Sequence, residues 1–157
     1  MNTPDILALG EAMIEFVRIP DGEPRVLYEQ GFGGDTSNTI IAAARQGANT
    51  GYLTAIGNED FGQSLIELWH EEGVNTEHVI RSETNPTGAY FVKPHASGRS
   101  FSYLRQGSAA SAYASADLPI AAISHAKIMH SSALSMAISA GMRASVMKAA
   151  EISRSTD

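Results

Sequence analysis

From Ser37 to Gly73 the sequence reads as helix, strand, helix, with a glycine closing each segment. Ser37 to Gln46 places Ile40, Ile41 and Ala44 on one side and stops at Gly47. Thr50 to Gly57, TGYLTAIG, reads as a strand. Phe61 to Gly73 reads as a helix whose apolar side holds Leu65, Ile66, Leu68 and Trp69. Upstream, DILALG (Asp5 to Gly10) is a compact apolar run of the kind buried strands carry. Downstream, AKIMHSSA reads as another buried strand and AGMRASVMKAAEISRS as a helix. Strands that alternate with helices pair in parallel, because each helix returns the chain over the sheet. The expectation is an α/β fold on a mostly parallel sheet.

Two stretches break the alternation. MIEFVRI (Met13 to Ile19) sets Ile14, Phe16 and Arg18 on one side and Met13, Glu15 and Val17 on the other, as a half-exposed strand does. The turn PDGEP and the strand RVLYEQGF follow. TGAYFVKP and RSFSYLRQ, split by HASG, form a second hairpin. The two hairpins predict a small antiparallel sheet beside the core. ASAYASADLP reads as a short helix ended by Pro119, and the methionines from Met129 to Met147 as core fillers.

The 157 residues suit one domain, and 43% hydrophobic content supplies a core. A net charge of −6 with only 11 Lys and Arg spread along the chain argues against a nucleic-acid or anionic-membrane partner, which needs clustered cations. The absence of cysteine excludes disulfides, thiolate metal sites and a cysteine nucleophile. MNTPDILALGEAM has no basic leader region and its apolar stretch is too short to span a membrane, so a cytoplasmic chain is expected. The last helix runs into SRSTD where a doubly wound sheet would continue with another strand. The expectation is the first part of a longer protein.

GFGGDTSN (Gly31 to Asn38) stands at the mouth of the first helix. Gly31, Gly33 and Gly34 allow positive φ and a ligand's approach to bare backbone. Asp35, Thr36, Ser37 and Asn38 fall at a helix N-terminus, where free N–H groups and the positive end of the dipole favour anions and hydroxyls. Asn38 both donates and accepts, which suits a vicinal diol. The same residues read equally as a turn followed by a capped helix. A Walker loop is excluded, since no Gly-Lys-Ser/Thr follows.

GGDTSNTIIAAARQG followed by IGNEDFG resembles the first signature of the ribokinase-like (PfkB) sugar kinases, with Gly33, Gly34, Asn38, Gly47 and Gly57 in the family's places and Asp60 in the acidic one. The general signature prefers small residues where this chain has Thr36 and Ile40. GGDT-x-N, PTGAYFV (Pro86 to Val92) and SYLRQGSAAS (Ser102 to Ser111) are similar to the branch that phosphorylates 2-keto-3-deoxygluconate. The resemblance covers residues 1–157 but only the N-terminal half of the family's fold. It implies a ribokinase-like three-layer fold with a β-lid from residues 12–34 and 88–107, and a homo-oligomer formed through that lid.

The resemblance also implies roles. Gly34, Asp35, Thr36, Ser37 and Asn38 would hold sugar hydroxyls, and Tyr90, Tyr103, Leu104 and Arg105 would contact the substrate. Arg105 suits the carboxylate of a sugar acid, since a neutral sugar would give that charge no partner. Tyr90 and Tyr103 read alternatively as packing aromatics, and Arg105 as a solvated edge residue. His125 and His130 read as non-ligands, and His70 with Glu71 and Glu72 as a solvated helix face. ATP and Mg2+ would be bound mainly by the family's second half, whose Gly-Ala-Gly-Asp motif carries the anion hole and the catalytic base. That motif does not occur in the sequence, so no catalytic residue is assigned and the chain alone is expected to be inactive. Other sugars of the family, such as fructose or ribose, and a non-catalytic sugar-acid binding role are the alternatives.

Overall fold

The computed structural model describes residues 4–20 and 25–155. The core sheet is wholly parallel. β1 (Ile6–Leu9) lies between β4 (Thr50–Gly57) and β9 (Ile128–His130), and β4 pairs on its other side with β5 (Val74–Asn75) and then β6 (Val79–Ser82). Every residue of β4 is buried. Alternation along β1 and β4 sends side chains to two separate cores. Leu7, Leu9, Leu53 and Ala55 pack with Ile123 of α4 (Ile120–His125) and with Met142, Val146, Ala149 and Ile152 of α6 (Ala140–Arg154). Ala8, Tyr52 and Ile56 pack with Ile40 and Ile41 of α1 (Asp35–Arg45) and with Leu65 and Trp69 of α2 (Asp60–Glu71). The result is three layers, helix on sheet on helix.

The second sheet has the order β3-β2-β7-β8, from β2 (Met13–Ile19), β3 (Leu27–Gly33), β7 (Gly88–His95) and β8 (Gly98–Leu104). Both hairpins form as expected, but they join through β2 and β7, which run parallel. The sheet is therefore mixed rather than antiparallel. One face packs on the α1–α2 core through Ile14, Phe16 and Ala89. Phe16 stacks on Phe91 at 5.2 Å between centroids and meets Phe61 edge-on at 5.7 Å.

Other expectations are corrected. α1 begins at Asp35, two residues before the predicted start, with Gly34 as its N-cap. ASAYASADLP is not one helix but α3 (Ala109–Ala112) followed by a 3-10 turn at Ser115–Asp117, and Pro119 opens α4 instead of ending a helix. Proline needs no N–H at that position, so it fits a helix start. The strand predicted in AKIMHSSA shrinks to β9 and is not buried: Ile128 is 54% exposed, because β9 pairs only with β1 among the described residues. Met147 is exposed rather than a core filler, whereas Met142 is fully buried. β5, β6, α4 and α5 (Ala133–Ile138) were not anticipated. The predicted turn PDGEP falls, at residues 21–24, outside the described residues.

Leu65 is fully buried beside the chain's single tryptophan, Trp69. Replacing Leu65 by Ala is expected to cost about 2–5 kcal/mol. Urea unfolding followed by Trp69 fluorescence measures it.

Candidate functional site

The second sheet turns its other face toward the carboxyl end of β1, and strand register lines up a row of side chains there. Glu15 of β2 is opposite Tyr90 of β7, which is opposite Tyr103 of β8. The Tyr90 hydroxyl donates to Glu15 Oε1 at 2.8 Å. Burial and this carboxylate together push the Tyr90 phenol up, so it stays protonated. Tyr90 and Tyr103 rings lie 5.7 Å apart, and the Arg105 guanidinium stands over Tyr103 at 5.5 Å. Both tyrosines therefore pack as strand aromatics and still line the row. Leu104 alternates to the opposite face from Tyr103 and is 66% exposed, so only its main chain borders this surface.

Arg105 is not a solvated edge residue. Its Nη2 lies 2.6 Å from Oε2 of Glu11, which is 3% exposed. Glu11 follows β1 directly, in the region outside the carboxyl ends of parallel strands where open α/β sheets bind ligands. The expectation that a neutral sugar would leave Arg105 without a partner is thus overturned: Glu11 is that partner. The contact is an ion pair without an aligned hydrogen bond. Both Glu11 carboxylate oxygens and Arg105 Nε lack hydrogen-bond partners of good geometry among the described residues. Burial is the largest influence on Glu11 and pushes its carboxyl up to about 7. Arg105 opposes that shift and the nearby Asp35 adds to it.

The glycine stretch divides its residues. Gly34 has φ 117°, and a Cβ there would meet the Glu11 carbonyl. Gly33 leaves room for the Tyr90 hydroxyl, so the close approach it permits is made by a protein side chain. Asp35 Oδ1 accepts from the Thr36 N–H at 2.8 Å, in the first turn near Glu11. Thr36 and Ser37 are buried: the Thr36 hydroxyl bonds the Tyr52 hydroxyl at 2.9 Å, and Ser37 Oγ accepts from Trp69 Nε1 at 3.0 Å. Their side chains pin α1 to the core. Asn38 lies outward, lining a 460 Å³ groove with Phe32, Ile41, Ala42, Arg45 and Leu68.

The structure thus brings together Gly34, Asp35, Tyr90, Tyr103 and Arg105, and adds Glu11 and Glu15, which sequence reasoning missed. An acid placed immediately after the glycine that ends a buried strand, in LGEAM, was the available signal for Glu11. The site offers one partly exposed cation, three carboxylates, two phenols and a helix start, a surface suited to a small polar molecule.

Comparison with known proteins is consistent with this geometry. The profile described as "pfkB family carbohydrate kinase" matches residues 3–156. The chain belongs to that family. A 2-dehydro-3-deoxygluconokinase of Thermoproteus tenax is 34% identical over 92% of this chain and 46% of its own length. That of Escherichia coli K12 is 36% identical over 67% of this chain and 34% of its own. The crystal structure of a PfkB protein from Polaromonas sp. JS666 superposes with a TM-score of 0.91 at 29% identity, covering 97% of this chain and 52% of that one. A fructokinase with bound ATP from Xylella fastidiosa gives 0.89 at 25% identity, covering 98% and 49%. The chain spans about half or less of the length of the curated relatives it matches. The family membership and the ribokinase-like α/β architecture expected from the sequence are both shown.

Two measurements test the geometry. Ser37→Ala leaves the buried Trp69 N–H unpaired and is expected to cost about 1–3 kcal/mol of stability in urea unfolding, with no change in sugar affinity. Glu11 holds its proton more tightly folded, at about 7, than unfolded, near 4.5. Its ionisation therefore removes stability as pH rises through that window. The stability of Glu11→Gln relative to wild type should climb between pH 5 and 8, by no more than about 3 kcal/mol.

Proposed function

We propose that this chain forms the sugar-acid-binding part of an ATP-dependent kinase that phosphorylates 2-keto-3-deoxygluconate to 2-keto-3-deoxy-6-phosphogluconate. The observation that carries the reading is Arg105. It is a guanidinium 29% exposed at the end of β8 and stacked on Tyr103. Its planar fork matches a carboxylate. Tyr90, Tyr103, Gly34 and Asp35 would then face the sugar hydroxyls. The names of the Thermoproteus tenax and Escherichia coli relatives support the same substrate.

The Glu11–Arg105 pair favours a second reading, a kinase for a neutral sugar such as fructose, because Glu11 already neutralises the cation. Replacing Arg105 by Ala separates the two. The acid reading expects about a tenfold to hundredfold loss of affinity for 2-keto-3-deoxygluconate by titration calorimetry. The neutral reading expects weak acid binding at the outset and fructose binding that survives.

ATP is the phosphoryl donor in this proposal and Mg2+ its counter-ion; the Xylella fastidiosa fructokinase neighbour was solved with bound ATP. No residue of this chain is assigned to their site in this proposal. Among the described residues no group of three His, Asp or Glu side chains gathers for a metal, and the sequence has no Gly-Ala-Gly-Asp. No step of phosphoryl transfer is assigned to them. The chain alone is expected to release no ADP above background in a coupled assay with 2-keto-3-deoxygluconate, and sugar-dependent release would refute this.

The face of the second sheet that carries the tyrosine row also exposes Leu27 and Phe101, apolar side chains that suit pairing with a second copy of the sheet. Light scattering on the eluting chain would show twice the 16.7 kDa monomer mass if that pairing forms.

A further inference from the structure

Arg105 is a single guanidinium asked to serve two carboxylates. Glu11 occupies its Nη2 from the core side, and on the reading above the ligand's carboxylate approaches the donors on the exposed side of the guanidinium, whose side chain is 29% exposed. Among the described residues, the charged side chains that face Glu11 are Arg105, which follows β8, and Asp35, in the first turn of α1. Across β4, Tyr52 is fully buried and its phenol is held far above the ordinary range, so it stays neutral. Ser108 contributes only a hydroxyl. A bound sugar acid would therefore place three negative groups around one positive group, with Glu11 almost entirely out of water. Like charges in such a place do not all ionise, and one carboxyl keeps a proton.

We propose that Glu11 is a proton-linked positioning residue for Arg105: it holds the guanidinium as a carboxylate while the site is empty and takes up a proton from solvent when a sugar acid binds, so that Arg105 passes from one carboxylate to the other. The inference rests on the sugar-acid reading. Among the candidates, Glu11 keeps the proton because it is the buried one. The Asp35 carboxylate already accepts the Thr36 N–H, and the ligand's carboxylate is the one brought onto the free guanidinium donors. Burial has also already moved Glu11 to the edge of neutrality, at about 7. The net charge around Arg105 is thereby conserved through binding. A neutral sugar makes no such demand, so its binding takes up no proton, and the position of Glu11's titration sets the pH range over which the site prefers acids.

The test is calorimetric titration of the chain with 2-keto-3-deoxygluconate and with fructose, in phosphate and in Tris, from pH 6 to 8.5. The expected result for the acid is uptake approaching one proton per ligand at pH 8. Its affinity should be level below pH 7 and fall about tenfold per pH unit above it. Glu11→Gln should abolish both effects and bind the acid as well at pH 8.5 as at pH 6. Acid binding with no proton uptake and a flat profile overturns the proposal while leaving the sugar-acid reading intact. Fructose binding without acid binding at pH 6 overturns the reading itself, and binding of neither sugar overturns both. If Glu11→Gln unfolds, Asp35→Asn serves instead. Removing that neighbouring charge should move the break in the acid's profile to lower pH, and an unmoved break overturns the assignment to Glu11.

Discussion

The second sheet can lie against the core only because the chain carries no side chain at Gly33 and Gly34. At Gly33 the Tyr90 hydroxyl occupies the space a Cβ would fill, and at Gly34 the Glu11 carbonyl does. Gly34 adds a φ that other residues rarely adopt. The turn is thus the hinge point at which β3 passes into α1, and it brings the end of β1, the start of β7 and the first turn of α1 to one place. Glu11, Tyr90 and Asp35 depend on that convergence. A larger residue at either position would separate the tyrosine row from the buried acid.

Behind the turn, α1 is anchored by polar contacts rather than by apolar area alone. Thr36 and Ser37 reach back to Tyr52 and Trp69, which themselves meet edge to face at 5.0 Å. Two hydroxyls that looked like ligand contacts are spent inside the protein, and this fixes the direction in which the helix start points. Asp35, next in the turn, is left to face the site. A residue's place in a motif does not say which of its neighbours will claim its side chain.

The core was the most legible part of the sequence. β4 has its expected bounds, and the two long helices flanking it begin within two residues of expectation, because glycine stops and apolar spacing are local signals. β5 and β6 are two and four residues long, too short to show a period. The parallel union of β2 with β7 is a pairing between distant segments, which local alternation cannot reveal, so two hairpins were visible and their joint was not. In the site, Tyr90, Tyr103 and Arg105 were legible through motif resemblance. The partner of Arg105 was not, since nothing around Glu11 in sequence announces a cation nearly a hundred positions away.

That joint has a consequence for how the molecule assembles. Tyr90 and Glu15 meet across 75 residues of chain, and those residues include β4, α2 and β6. The hairpins can close early and locally, but their union must wait until the intervening strands and helices have drawn their ends together, because loop closure is unfavourable until non-local contacts compensate it. Within the row, the Tyr90–Tyr103 pair belongs to one hairpin, whereas the Glu15–Tyr90 contact exists only where the two hairpins have been joined across the core.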